Sequence, residues 1–176
     1  MVKVMVNGAC GRMGQAVVKA VLEDPELELV AAADMKDGMD AGVLVGLAPC
    51  GIKVSVGLEK VIDAAKPEVM VDFTRPDVVF GNACTALKKG VSPVIGTTGL
   101  SDEAKAELAK LAEATNTPAF IAPNFAFGAV LMMLMARQAA KYMPHVEIIE
   151  MHHDQKLDAP SGTALQTADM IREVRK

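Results

Sequence analysis

"VMVNGACGRMGQAVVKAV", Val4 to Val21, runs from a β-branched strand through three glycines into an amphipathic helix. Gly8, Gly11 and Gly14 stand at G-x-x-G-x-x-G, a variant of the commonest dinucleotide fingerprint that meets the same physical demands. Gly8 permits the tight turn, Gly11 lets backbone approach a pyrophosphate, and Gly14 allows the helix to pack closely on the strand. Unpaired N–H groups at the helix start then face the anion, with Arg12 beside them. Glycines also end strands for purely structural reasons, so context has to carry the reading. Asp34 supplies it: it lies 20 residues beyond Gly14, at the end of the second strand, where an acid accepts hydrogen bonds from the adenosine ribose. Asp34 would repel a 2′-phosphate and Lys36 would attract one, which leaves NADH and NADPH both open.

Outward from this unit, short apolar runs alternate with helical patterns. "VKVMVN" at Val2, "LELVAAA" around Leu29, "KVSV" at Lys53, "VMVDF" at Val69, "SPVIG" at Ser92 and "PAFIA" at Pro118 read as buried strands. Asp77 to Lys89 and Ser101 to Ala114 are the clearest helices, the latter with a serine cap and an acidic first turn. Such alternation predicts a Rossmann-like, doubly wound parallel α/β sheet over residues 1–124. Ligands of an open parallel sheet lie at the carboxyl ends of its strands. "DFTRP" and "GTTG" both fall there, with Phe73 and Thr74 flanking a nicotinamide and Gly96, Thr97, Thr98 and Gly99 bringing backbone against it.

Residues 125–176 read differently: a long apolar helix, one strand in "VEIIEM", a polar segment and a last helix. One strand cannot satisfy its own ladder, so this is expected to be the start of a substrate-binding domain completed by further strands. Met132, Met133 and Met135 read as core filler on the apolar helix.

The chain of 176 residues, with 51% hydrophobic and 23% charged residues, has the composition of a soluble globular protein. A net charge of -4 gives no reason to expect nucleic acid. Cys10, Cys50 and Cys84 are odd in number and far apart, which points to reduced thiols rather than disulfides or a metal site. No segment approaches the roughly 20 apolar residues of a membrane span, and the first residues have too short an apolar run for a signal peptide. A cytoplasmic protein without a membrane partner is expected.

"MHHDQKLDAPSGTAL", Met151 to Leu165, concentrates most of the remaining chemistry. A metal site fits poorly: His152 and His153 are adjacent, so in an extended segment they point apart, and no third ligand has a suitable spacing. No metal is expected. Taken alone, Ser161 and Thr163 are helix caps and Lys156 a surface lysine.

In order along the chain, "GACGRMG", "DFTRP", "GTTG", "APNFAFG" and above all "EMHHDQKLDAPSGTAL" resemble the 4-hydroxy-tetrahydrodipicolinate reductase (dihydrodipicolinate reductase) family of bacterial lysine biosynthesis through diaminopimelate. The resemblance implies hydride transfer from NADH or NADPH to a cyclic imine dicarboxylate. It implies proton donors or acceptors at His152 and Lys156, and substrate contacts at His153, Gly162 and Thr163. It assigns the cofactor to Gly8, Ala9, Cys10, Gly11, Arg12, Met13, Asp34, Gly96, Thr97, Thr98, Ala122, Pro123, Asn124 and Phe125, to which the reading above adds Phe73. The position after the acid, often arginine in members that contact a 2′-phosphate, is Met35 here. Members of the family continue beyond this length, with strands that complete the second domain and form a homotetramer interface.

The residue types suit that chemistry. "PSGTAL" starts a helix, so the amides of Gly162 and Thr163 are free to hold a carboxylate. His152 carries a transferable proton near neutral pH. A fully extended chain would put His152 and Lys156 about 13 Å apart at roughly 3.3 Å per residue, so the segment is expected to fold back. Another NAD(P)-dependent dehydrogenase of amino-acid metabolism accounts for the glycine loop but not for the His-Lys-Ser-Gly-Thr segment. A nucleotide-binding module without turnover is the alternative from a different class.

Overall fold

The computed structural model describes residues 1–122, 124–152, 154 and 159–175. They fall into two compact units, Met1–Ala122 and Pro123–Lys176.

The first unit alternates strand and helix throughout: β1 (Val2–Asn7), α1 (Arg12–Glu23), β2 (Leu27–Ala33), α2 (Ala41–Leu44), β3 (Val54–Ser55), α3 (Leu58–Ala65), β4 (Val69–Asp72), α4 (Val79–Lys88), β5 (Ser92–Ile95), α5 (Asp102–Thr115) and β6 (Phe120–Ile121). The strands form one sheet in the order β3-β2-β1-β4-β5-β6, and every pair is parallel. The chain begins in the middle, winds outward to β3, then returns across β1 to β4 and winds the other way. The reversal between β1 and β4 is the point at which open parallel sheets take their ligands, at the strands' carboxyl ends. The outermost strands, β3 and β6, are two residues long.

Helices on both faces explain why the strands read as continuous apolar runs. Successive residues of β1 point to opposite faces. Val4 and Val6 pack with Val18 and Val21 of α1 and with Leu29 and Ala32 of β2. Met5, between them, packs with Met70, Ala31, Ile62 and Ala86. A third cluster joins Val79, Ala83 and Leu87 of α4 to Ile95 and Leu108. The Ser101 hydroxyl accepts the Ala104 N–H at 3.2 Å, and Asp102 and Glu103 complete an acidic first turn of α5.

Asp40 is a hub for the loop that leads into β3. Its carboxylate accepts the N–H groups of Gly42 (2.9 Å), Val43 (3.3 Å), Cys50 (3.0 Å) and Gly51 (2.8 Å). The Cys50 amide foremost, then those of Gly51, Val43 and Gly42, hold this carboxyl below the usual aspartate range. A depressed folded-state pKa stabilises the fold fully above the unfolded value, about 3.9, and the contribution is lost as pH falls through the folded value. Urea midpoints of the unaltered chain and of Asp40→Asn should therefore differ most near pH 6 and converge toward pH 2.5. A gap that stays constant with pH would count against this assignment.

The second unit holds α6 (Phe127–Ala139) and α7 (Gly162–Val174). They bury Met133 and Ile171, and Arg137 reaches Glu173 at 3.5 Å. Two expectations need correction here. Residues 146–151 form no strand, because none of the described residues of this unit offers a neighbouring strand to take up their N–H and C=O groups. Of the three methionines only Met133 is core: Met132 and Met135 are 55% and 62% exposed, in an apolar face that also includes Phe127 and Leu134. Among the described residues no helix is long and apolar enough to cross a membrane.

Candidate active site

At the carboxyl edge of the first unit, the glycine loop is fixed by its own backbone. Gly8 and Ala9 donate to the Ala33 carbonyl at 2.9 and 3.1 Å, and Gly11 donates back to Gly8 at 3.1 Å. Gly8 has φ +83°, and a Cβ there would stand 2.5 Å from the Phe73 carbonyl oxygen. A Cβ on Gly11 would press on the Gly8 carbonyl at 3.3 Å. α1 starts from Gly11, which has no side chain to cap it. Among the described residues the Arg12 and Met13 amides consequently have no acceptor, and the exposed Arg12 stands at the same helix start. Bare backbone, free amides and a cation fit a pyrophosphate.

Asp34 is tied to this loop rather than loose in solvent. Its Oδ2 accepts the Cys10 N–H at 2.9 Å and its Oδ1 the Met35 N–H at 2.7 Å, while each oxygen keeps acceptor capacity. Burial first, then the charge of Asp34, raises the Cys10 thiol above its ordinary pKa. Cys10 is therefore held as a neutral thiol and is not set up as a nucleophile.

The other two loops meet on the same edge. The Phe73 ring lies over Gly96, where a Cβ would fall 2.1 Å from Cε1, so the two expected nicotinamide contacts are packed on each other. Thr98 is exposed, and the Thr97 hydroxyl turns inward to Asp72 at 3.0 Å. Ala122 donates to the Ile95 carbonyl at 3.1 Å, just beyond β6.

In the second unit, Asn124, Glu150, His152, Ser161 and Thr163 line one cavity of ≈ 450 Å³. Ser161 caps α7, its hydroxyl accepting the Ala164 N–H at 3.1 Å. Among the described residues the Gly162 and Thr163 amides have no acceptor. The Glu150 carboxylate accepts both the Ser161 N–H at 2.7 Å and the Ser161 hydroxyl, and its Oε2 lies 3.8 Å from His152 Nδ1. Asn124, expected among cofactor residues, donates to the Thr163 hydroxyl at 3.0 Å and accepts the Ala126 N–H at 2.7 Å. Phe125 follows it, half-exposed. Pro123, His153 and Lys156 lie outside the described residues, and so does the expected fold-back between His152 and Lys156.

Sequence models of the dihydrodipicolinate reductase N-terminus and C-terminus match residues 2–125 and 128–176. The chain belongs to the dihydrodipicolinate reductase family. Among its relatives, the 4-hydroxy-tetrahydrodipicolinate reductase of Desulfitobacterium hafniense is 52% identical over 99% of the chain. The chain spans 66% of that relative's length. A solved family structure, the dipicolinate-bound dihydrodipicolinate reductase from Paenisporosarcina sp. TG-14, superposes with a TM-score of 0.80 at 49% identity, over 99% of this chain and 67% of that one. The amine dehydrogenase of Mycobacterium smegmatis, at 22% identity and TM-score 0.65 over 82% of this chain and 45% of its own, shares the fold.

Family membership explains why these residue types collect at two places; three further well-connected polar side chains, to which no motif assigns a role, join them. Asp72 and Asn7 each end an apolar strand run, and Glu150 sits two residues before His152, on the same side of an extended segment. A charged or amide residue closing a buried strand is a signal that the sequence does carry.

Proposed function

We propose that the chain carries the dinucleotide-binding unit and the opening part of the substrate-binding unit of a 4-hydroxy-tetrahydrodipicolinate reductase. The reaction is loss of the 4-hydroxyl as water and reduction of the resulting unsaturated cyclic imine dicarboxylate to tetrahydrodipicolinate, in lysine biosynthesis through diaminopimelate. One observation carries this reading: Thr163, whose amide is free at the start of α7 among the described residues, lines the same cavity as His152, and the free Gly162 amide precedes it in the same helix turn. That is a carboxylate holder beside a proton carrier, in a family with a dipicolinate-bound member.

A bound nicotinamide dinucleotide supplies the hydride. The chain's own residues do the rest. The Arg12 and Met13 amides hold the pyrophosphate at the positive end of α1, and Asp34 accepts from the adenosine ribose. NADH is the better fit of the two cofactors, because a 2′-phosphate would face the Asp34 carboxylate and Met35 brings no cation, which leaves Lys36, whose charge reaches Cys10, as the one residue to offset part of that repulsion. The Gly162 and Thr163 amides hold one substrate carboxylate, with His153 as a further contact. His152 and Lys156 handle the proton that goes to the ring carbon beside the one reduced. Glu150, near His152 Nδ1, leaves Nε2 as the nitrogen available to substrate.

The exposed apolar face of α6, with Ile148 and Ile149, supports burial of this face in a longer homotetrameric protein. A cytoplasmic location suits the chemistry and the free thiols. Oxidation of NADH and NADPH, followed with freshly generated 4-hydroxy-tetrahydrodipicolinate, tests the proposal on this chain and on a version extended to its relatives' length. Turnover by the extended version, with kcat/KM higher for NADH, is expected. Dinucleotide binding without turnover in either would leave a binding module and end the reductase reading.

A further inference from the structure

Asp72 is the one charged residue buried among the described residues, with 0% exposure. It occupies the last position of β4, beside Asn7 of β1 and Ile95 of β5 in the sheet register. Burying a carboxylate is costly unless donors surround it, and here every neighbour donates. Oδ2 accepts the side-chain amides of Asn7 (2.9 Å) and Asn82 (3.0 Å). Oδ1 accepts the Thr74 N–H (3.0 Å), the Thr74 hydroxyl (2.6 Å) and the Thr97 hydroxyl (3.0 Å). The Asp72 carbonyl takes the Gly96 N–H at 3.0 Å. One carboxylate thus joins the root of the glycine loop, the 73–76 loop, α4 and the 96–99 loop.

These links are unequal in what else supports them. The glycine loop has independent anchors: Gly8 and Ala9 on the Ala33 carbonyl, Cys10 on Asp34, and the Gln15 amide on the Cys10 carbonyl at 2.9 Å. Among the described residues, the hydrogen bonds of the 96–99 loop run to Asp72, from the Gly96 amide and the Thr97 hydroxyl. We infer that Asp72 is a positioning residue: through the Thr97 hydroxyl it sets the 96–99 loop for the nicotinamide half of the cofactor, while Asp34 and the glycine loop serve the adenosine half. This rests on the dinucleotide reading above.

Titration calorimetry with NADH and with ADP, which presents only the adenosine half, tests it on the full chain. Asp72→Asn keeps the shape but turns a donor toward donors. NADH affinity should fall about tenfold while ADP affinity stays within about twofold, the size expected for losing a hydrogen bond to a charged group. Thr97→Val should weaken NADH about three- to tenfold, and Thr97→Ser, which restores the hydroxyl, should return it to within about twofold. Should Asp72→Asn fail to fold, the Thr97 pair decides alone. Equal loss of NADH and ADP in Asp72→Asn, or Thr97→Val and Thr97→Ser binding alike, would overturn the assignment while leaving the cofactor reading intact. An unaltered chain that fails to bind NADH would overturn both.

Discussion

Gly14→Ala is expected to destabilise the first unit by about 3 kcal/mol or more and to abolish NADH binding. In an ordinary helix the same change stabilises by about 1 kcal/mol, so the sign itself is diagnostic. A Cβ at Gly14 would stand 1.9 Å from the Gly8 carbonyl oxygen, 2.7 Å from its carbon and 2.9 Å from the Ala9 Cα. All three are backbone, with no flexible side chain to swing aside. Gly8 cannot retreat, because it is pinned against Phe73 and by its bond to Ala33. The first turn of α1 would have to lift off β1, taking the free Arg12 and Met13 amides with it. Gly81, inside α4 with open space where its Cβ would go, is the control: Gly81→Ala should raise stability by about 0.5–1 kcal/mol. Urea unfolding and calorimetry read both variants. A Gly14→Ala chain as stable as the unaltered one would show that close helix–strand packing is not what this glycine provides.

Gly162→Pro separates binding from folding in the second unit. Gly162 is the first residue of α7, the position where proline is tolerated because the N–H has no intrahelical partner. Ser161, before it, has φ -66° and ψ 154°, the extended backbone that a following proline requires. A Cβ at Gly162 meets nothing within 4 Å. Stability should therefore stay within about 0.5 kcal/mol of the unaltered chain. Dipicolinate affinity should fall about 10- to 100-fold, the cost of one lost hydrogen bond to a carboxylate. Gly162→Ala keeps the amide and should keep the affinity. Dipicolinate bound equally well by the proline variant would remove the Gly162 amide from the carboxylate site.

The parallel sheet was legible in the sequence because strands covered on both faces are continuous apolar runs, as in "VKVMVN" and "SPVIG", and because Ser101 and Ser161 mark two helix starts by a local rule. The place of the glycine loop between β1 and α1, and of Asp34 just past β2, was legible by spacing. The 146–151 segment was not: its alternation permits a strand, but a strand exists only where another lies beside it. Met132 and Met135 misled for a related reason, since an apolar helix face declares that it can be buried without declaring what buries it. Asp72 and its five donors were the least accessible. Asn7, Thr74, Asn82 and Thr97 become neighbours only when β1, β4, α4 and the loop after β5 converge, and no periodicity along the chain encodes that.

The two-residue strands β3 and β6 have a consequence for association. A sheet edge recruits foreign strands in proportion to the length of unpaired ladder that it presents, and these two rims present almost none. They cover only Ala32 and Ala33 of β2 and Val94 and Ile95 of β5, so the backbone left to a foreign strand is the start of each inner strand, and on β5 Pro93 has no N–H to offer there.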